Sequence, residues 1–515
     1  MNKLGVNVIC FLLPACLSRQ FLAGQLWFHG TDAKRLLFIL CLLNLHGLAA
    51  QTPTHDNYRI FGYTDGIGNN FDGTLLHFEN GYPEFKIENV KQDYFYYCIL
   101  CSDSTGNLLF HTDGRQIRNR LHNIMEGGAV INPGQIWIDF YDGYPTITGG
   151  LAIPAPGLEN FYYLIHTTLK DGSDLSILCP ELLYSLIDMN ANGGLGKVVE
   201  KNKVIAKGDL PSPILIKHGN GRDWWLIVGD MVTKTYLIYL IDPEGVHLRQ
   251  QQNIAPSSLT DYPYAKASPD GSIFVSNDDI TGLWIFDFDR CSGLLSHPRV
   301  LPYQPPEFRT STIAFSPDGR FLYPSTHLFV YQLDMQTIDS TYITFDTIAR
   351  YEYGASPAPP YYTHFFLPEL APDGKIYYGT FNNSQAFHVI NRPNLPLLSS
   401  DMAQRGLMLP RHNKQTRCYF PNYRLGKWLD SPCDTLAFAP GSDQRFHDTQ
   451  WSGSKIINST EAIKVLKLPP GFQIPPSSGV GDDKDYNPLN MKTITRKAMA
   501  QKAAEKAEKQ KIKNE

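Results

Sequence analysis

The tetrapeptide Ser-Pro-Asp-Gly, or its near copy Ala-Pro-Asp-Gly, occurs three times, each time between two apolar runs. The segments are Ala265–Ser276, Ile313–Pro324 and Glu369–Tyr378, and their aspartates Asp270, Asp318 and Asp373 stand 48 and 55 residues apart. Proline presets φ for the second position of a turn, Ser or Asp bonds the local backbone, and glycine takes the positive φ that closes a hairpin with a bulge. One strand must therefore enter each turn and another must leave it. Each unit then adds an alternating strand, Leu283–Phe288, Leu328–Leu333 and Ala386–Ile390. Strand, turn, strand, loop, strand at a period of roughly 50 residues is the arrangement of a four-stranded propeller blade.

Weaker relatives of the unit fill the upstream region. Ser102–Gly114 has the same rhythm, Phe161–His166 pairs plausibly with Leu182–Asp188, and Trp224–Val228 with Tyr236–Ile241. Units start near residues 58, 148, 211, 262, 310 and 363. Two strand-like pieces are left over, Tyr58–Gly62 and Cys418–Tyr423, one from each end of the region. A propeller hides its sheet edges by closing on itself, so these pieces are expected to share a blade. The fold class read here is all-β: a single β-propeller of seven blades, with six or eight as neighbouring counts, closed by strands from both chain ends. Composition agrees, because 28 Tyr and 28 Phe supply strand formers while 41 Gly and 36 Pro supply turns.

The ends read differently. Lys34-Arg35, an apolar run from Leu36 to Leu48 and the small residues Ala49-Ala50 form the order of a secretory signal peptide. That run is too short to span a bilayer, which needs about 20 residues. Residues 1–33 carry a second apolar run and read as an upstream extension from a start assigned too early. The propeller is expected over 51–440, a linker-like segment over 441–490, and a basic helical or disordered tail over 491–515. Export through the inner membrane follows as an expectation, with a periplasmic, cell-surface or extracellular destination and no transmembrane segment in the mature chain.

Between residues 58 and 437 the chain resembles the secreted WD-like propeller proteins of Bacteroidota, the bacteria that use type IX secretion. The stretches that carry the resemblance are Gly106–Gly114, Asn119–His122, Asn192–Gly196, Gly221–Trp225, Asp287–Gly293 and Ser431–Thr435. It implies a secreted propeller and no particular activity. The sorting domain with which such proteins often end has no counterpart in 441–515.

Chemistry is harder to find. Gly-x-Ser-x-Gly, His-Glu-x-x-His and the phosphate-binding Gly-x-x-x-x-Gly-Lys are absent from the sequence. A formal net charge of −4 offers no basic footprint for nucleic acid. Asp188–Gly193 matches the first half of a calcium loop, but its twelfth position is Val199, and an Asn/Gly-rich turn accounts for the same residues. Six cysteines follow the leader (Cys98, Cys101, Cys179, Cys291, Cys418 and Cys433), with 15 possible pairings and no zinc pattern. No catalytic residue, metal ligand or cofactor is assigned.

The candidate ligand-binding cluster is Arg222-Asp223-Trp224-Trp225. Adjacent strand residues face opposite ways, so one ring is expected in the core and the other near a rim. Asn119, Arg120 and His122 form a second polar group. The function expected on these grounds is a non-catalytic secreted or cell-envelope binding or scaffold module recognising a glycan or a protein. Two alternatives stand beside it. One is a propeller lyase or glycoside hydrolase with its site in the central funnel; the other is a structural part of an envelope assembly.

Overall fold

Each Pro-Asp-Gly turn forms the hairpin its residues call for. In the computed structural model, the Ser268 amide donates to Ile273 O at 2.9 Å and the Gly271 amide to Ser268 O at 2.9 Å. Gly271 sits at φ 72°. The Asp270 carboxylate accepts from the Ser272 amide at 3.1 Å, which locks the turn from within. Ser316–Arg320 and Ala371–Lys375 repeat the pattern, with Gly319 at φ 73° and Gly374 at φ 77°.

The structure describes residues 55–434 and 454–472, apart from 63–71, 80–81, 93, 95–96, 141–142, 147–148, 173–176, 255–263, 279–280, 303–311, 354–362, 381–383 and 414–416. The leader read at 1–50 and the tail read at 491–515 lie outside the described residues. All described residues belong to one compact unit, Pro53–Glu515. Among them no helix is long and apolar enough to cross a membrane.

The unit is a seven-bladed β-propeller. Blade I carries Tyr58–Phe61, Asp72–Glu79 and Tyr82–Asn89; blade II carries Tyr97–Ser102, Leu108–Thr112 and Ile117–Asn119. The inner strands of blades III to VII are Gly150–Pro154, Ile214–Lys217, Tyr264–Ala267, Thr312–Phe315 and Phe365–Leu370. Each of these five blades is an antiparallel four-stranded meander, extended in blades IV and V by one further strand. The first sequence unit, starting at 58, therefore holds two blades, and the other five units each hold one.

Closure comes from Arg417–Cys418, which pairs in parallel with Tyr97–Ser102 of blade II. The same segment flanks blade I: the Ile60 amide meets Cys418 Sγ at 3.4 Å, and Arg424 forks onto Asp56 at 2.7 Å through both nitrogens. Cys418 beside Ile60 and Arg424 beside Asp56 means the two segments run antiparallel. The chain end thus supplies the inner strand of blade II and lies against the inner strand of blade I, so the two leftover pieces stand in adjacent blades and do not share one.

Blade faces are covered by their neighbours, so apolar residues run on instead of alternating with polar ones. In blade IV, Tyr236–Ile241 is buried at every position. Trp224, Leu226 and Val228 join one core cluster, while Trp225 and Ile227 join another. Beyond Arg424 the chain crosses the turns of blades IV and V and is pinned by a disulfide between Cys291 and Cys433, with Cα atoms 5.5 Å apart. Part of the stretch read as linker-like is built onto the propeller edge. Lys455–Asn458 adds in parallel to Gly245–Asn253, Lys464–Val465 adds to Leu295–Leu301, and Phe472 packs edge-on against Phe345.

Truncation after Asn413 should leave the inner edge of blade II open, giving a chain that aggregates and loses its cooperative melt. Truncation after residue 440 removes the outer strands Lys455–Asn458 and Lys464–Val465 and should keep one cooperative transition. Calorimetry of both variants checks the contrast.

Candidate functional site at the propeller axis

A propeller ligand usually meets the inner strands, so the polar groups on those strands are the first place to look. Lys266 and Glu369 occupy the same repeat position, two residues before the first residue of the turn, in blades V and VII. Their side chains meet at 2.8 Å with 15% and 17% of their surface exposed. Burial raises the Glu369 carboxyl above its ordinary value despite Lys266 and Arg59, and burial lowers the Lys266 ammonium despite Glu369. The ammonium also lies 3.9 Å from the ring centre of Tyr419.

Arg59 is clasped between two rings, 5.0 Å from Phe78 and 4.8 Å from Phe420, and donates to Asp56 O at 2.7 Å. The closing segment supplies the filling of the axis. Tyr419 reaches blade V and donates to Ala265 O at 2.8 Å; Tyr423 reaches blade III and donates to Ala152 O at 2.5 Å. Lys217 of blade IV donates to Tyr423 O at 3.3 Å, and burial, then Arg290, brings its ammonium down to about 8. Among the described residues a cavity of about 30 Å³ lies between blades I and VII, lined by Arg59, Glu369, Tyr264, Cys418, Tyr419 and mostly apolar neighbours. That is room for about two waters.

The Arg222–Trp225 cluster is packed away. Trp224 and Trp225 are 2% and 0% exposed, one on each face of blade IV. The expectation that one ring approaches a rim fails for a simple reason: both faces of this blade are walled by neighbours. The Trp225 indole donates to Arg290 O at 2.8 Å, and the Trp224 ring meets Tyr423 edge-on. Arg222 and Asp223 pair at 2.6 Å with about one-twentieth of each side chain exposed. Asn220 holds the same carboxylate at 2.7 Å, so the group organises its own turn.

The second polar group divides. The Asn119 side chain accepts from the Leu121 and Asn123 amides, shaping a turn in which His122 takes φ 60°. Arg120 is exposed and reaches the Gly194 carbonyl, whereas His122 points inward. One set of tautomers satisfies the chain it joins. Tyr94 donates to His111 Nδ1, His111 Nε2 to His122 Nδ1 at 2.8 Å, and His122 Nε2 to Glu88 at 3.4 Å. Burial, then His122 and Arg118, holds the His111 imidazole well below its ordinary value, and burial outweighs Glu88 in lowering His122.

Asp188 and Asn192 of the calcium-like loop are spent on the turn itself. Asp188 accepts from the Asn190 amide at 2.8 Å, and Asn192 donates to Gly196 O at 3.0 Å. Among the described residues no three His, Cys, Asp or Glu side chains gather as metal ligands. Sequence reasoning missed the axial set of Arg59, Lys266, Glu369 and Tyr419. A signal existed in the charges at one repeat position of strands otherwise buried on both faces, but nothing local says that Lys266 meets Glu369.

No sequence family matches the chain, and no curated protein does. Its similar solved structures are propellers. A functionally unknown protein from Desulfotomaculum acetoxidans is 13% identical at a TM-score of 0.40, covering 71% of this chain and 99% of that one. A periplasmic gluconolactonase from Pseudomonas aeruginosa is 13% identical at 0.39, covering 69% and 97%. A Bacteroides thetaiotaomicron protein of unknown function is 8% identical at 0.32, covering 71% and 86%. Likeness at this level carries neither an activity nor a substrate to this chain.

Burial also holds His166, His327 and His388 at about 3 and His364 at about 4. In the unfolded chain each returns to about 6.5. As pH falls below 6.5 the unfolded state therefore takes up protons that the folded state refuses, and stability is lost downward through that window. Each histidine contributes up to about 1.4 kcal/mol per pH unit. The urea midpoint should drop steeply from pH 6.5 to 4.5, and a flat profile there would contradict neutral buried imidazoles.

Proposed function

We propose that this protein is an exported propeller that binds a glycan or protein without turning it over. One observation carries the reading: the axis, where a propeller enzyme would converge its acids, is occupied by the chain's own Tyr419 and Tyr423. The acidic side chains described beside it are engaged, Glu369 with Lys266 and Asp56 with Arg424. Neither carboxylate is presented as a free general acid or base for a glycosidic bond. The Cys291–Cys433 disulfide supports an oxidising compartment, in keeping with the leader-like order of residues 34–50.

Binding then belongs on the faces of the ring. Where the closing segment leaves the axis, Trp428 is 41% exposed and Leu429 is 69% exposed, with the Trp428 amide tied to Gly219 O at 2.7 Å. An anchored backbone presenting an exposed aromatic side chain suits the stacking of a sugar ring or an apolar peptide group.

The test pairs two assays on purified protein. Glycan and protein arrays should detect a ligand whose binding weakens at least tenfold in Trp428→Ala. Glycoside, uronate-polymer and sugar-lactone panels should show no product above the uncatalysed rate. Turnover that disappears in Glu369→Gln would replace this reading with an enzyme sited at the axis.

A further inference from the structure

Cys98 and Cys418 stand opposite each other in the parallel ladder that closes the ring. Along that blade II strand, Cys98 and Leu100 face one core cluster while Ile99 and Cys101 face another. A spacing of three in a strand therefore parts Cys98 from Cys101. It brings Cys98 instead to a thiol 320 residues away, with which it shares a hydrogen bond. Paired residues on neighbouring strands lie about 4.8 Å apart, inside the Cα range a disulfide spans.

The surroundings of Cys418 differ from those of the other buried thiols. Its sulfur lies against both backbone groups of Ile60, 3.4 Å from the amide and 3.5 Å from the carbonyl, and lines the cavity between blades I and VII beside Arg59. Arg59 is 5% exposed; its Nη1 is bound to Asp56 O, and its Nη2 has no hydrogen-bond partner among the described residues. Of the charged residues lining the cavity, Glu369 is paired with Lys266, and Arg59 has no ion-pair partner among the described residues. A buried charge of that kind is costly without a counter-charge. Burial raises the Cys418 thiol, but the hydrogen bond from Cys98, the charge of Arg59 and the Ile60 amide outweigh it and bring Cys418 below its ordinary value. Burial and Cys418 push Cys98 the opposite way.

We propose that Cys418 and Cys98 are a peroxide-reactive dithiol, with Cys418 attacking, Cys98 resolving, and the cavity between blades I and VII admitting an oxidant the size of hydrogen peroxide. The Cys418 thiolate attacks one peroxide oxygen, an S–O bond forms and the O–O bond breaks. The departing hydroxide takes a proton from solvent and leaves as water. Cys98 sulfur then attacks the sulfenic sulfur, the S–S bond forms, and the hydroxyl leaves with the Cys98 proton as a second water. Two thiols are oxidised to one disulfide, and one hydrogen peroxide is reduced to two waters. The product ties the closing segment covalently to blade II.

The native full chain, treated with one equivalent of hydrogen peroxide, is denatured, alkylated and mapped by mass spectrometry. Cys98 and Cys418 should lose their labels together in one cross-linked peptide pair, while Cys101 and Cys179, equally buried but without the cation, stay labelled. Cys98→Ser should trap a dimedone adduct on Cys418, and Arg59→Met should slow the loss of label at least tenfold. If all four thiols react alike, or if Cys98 and Cys418 keep their labels, the proposal is overturned. The wild-type map decides this alone should the variants fold poorly.

Discussion

A blade is a sheet with two apolar faces and two edges, and it is satisfied only when neighbours cover the faces and something ends the edges. In an open row of blades the first and last keep a bare face. Closing the row removes both at once, so the contact between the last strand and the first blade decides whether any of the others is stable. Here that contact is short. Arg417–Cys418 holds blade II through a two-residue ladder, and the Arg424–Asp56 fork and the Ile60–Cys418 contact hold blade I. The disulfide at Cys291–Cys433 then keeps the segment from being withdrawn.

The same segment sets the chemistry of the axis. Tyr419 and Tyr423 reach across to the carbonyls of blades V and III, so the chain that closes the ring also fills its centre. Filling the axis is what forces charge into the interior. A buried pair such as Lys266–Glu369 gives little net stability over apolar residues of the same volume. Removing one partner, by contrast, costs about 3–5 kcal/mol. The pair is better understood as a register device: it joins blade V to blade VII only when blade VI between them is in place.

What the sequence reveals follows from how local each interaction is. The turns at Ser268, Ser316 and Ala371 are made by residues within five positions of one another, so their form and the strands on either side are legible directly. The starts of blades III to VII fall within three residues of the expected units for the same reason. Tyr58–Phe61 and Cys418 stand out as unpaired strands, which is enough to place them at the closure. The packed state of Trp224 and Trp225 is not legible, because alternation tells that the rings part but not that both sides are walled. Nor are the partners of Cys98, Lys266 and His122, all of which come from distant parts of the chain. His122 was visible as part of a polar turn; its place in a line from Tyr94 to Glu88 depends on blade I lying beside blade II.

The account stands on residues 417–424 being the segment that closes the ring, with Arg417–Cys418 as its strand. Native-state hydrogen exchange followed by mass spectrometry tests it most directly. Peptides covering 417–424 and 57–62 should exchange together and only through global unfolding, at the rate of the slowest inner-strand peptides of blades III to VII. Early exchange of 417–424 while those blades remain protected would contradict it, and the ring would then have to be closed by another part of the chain.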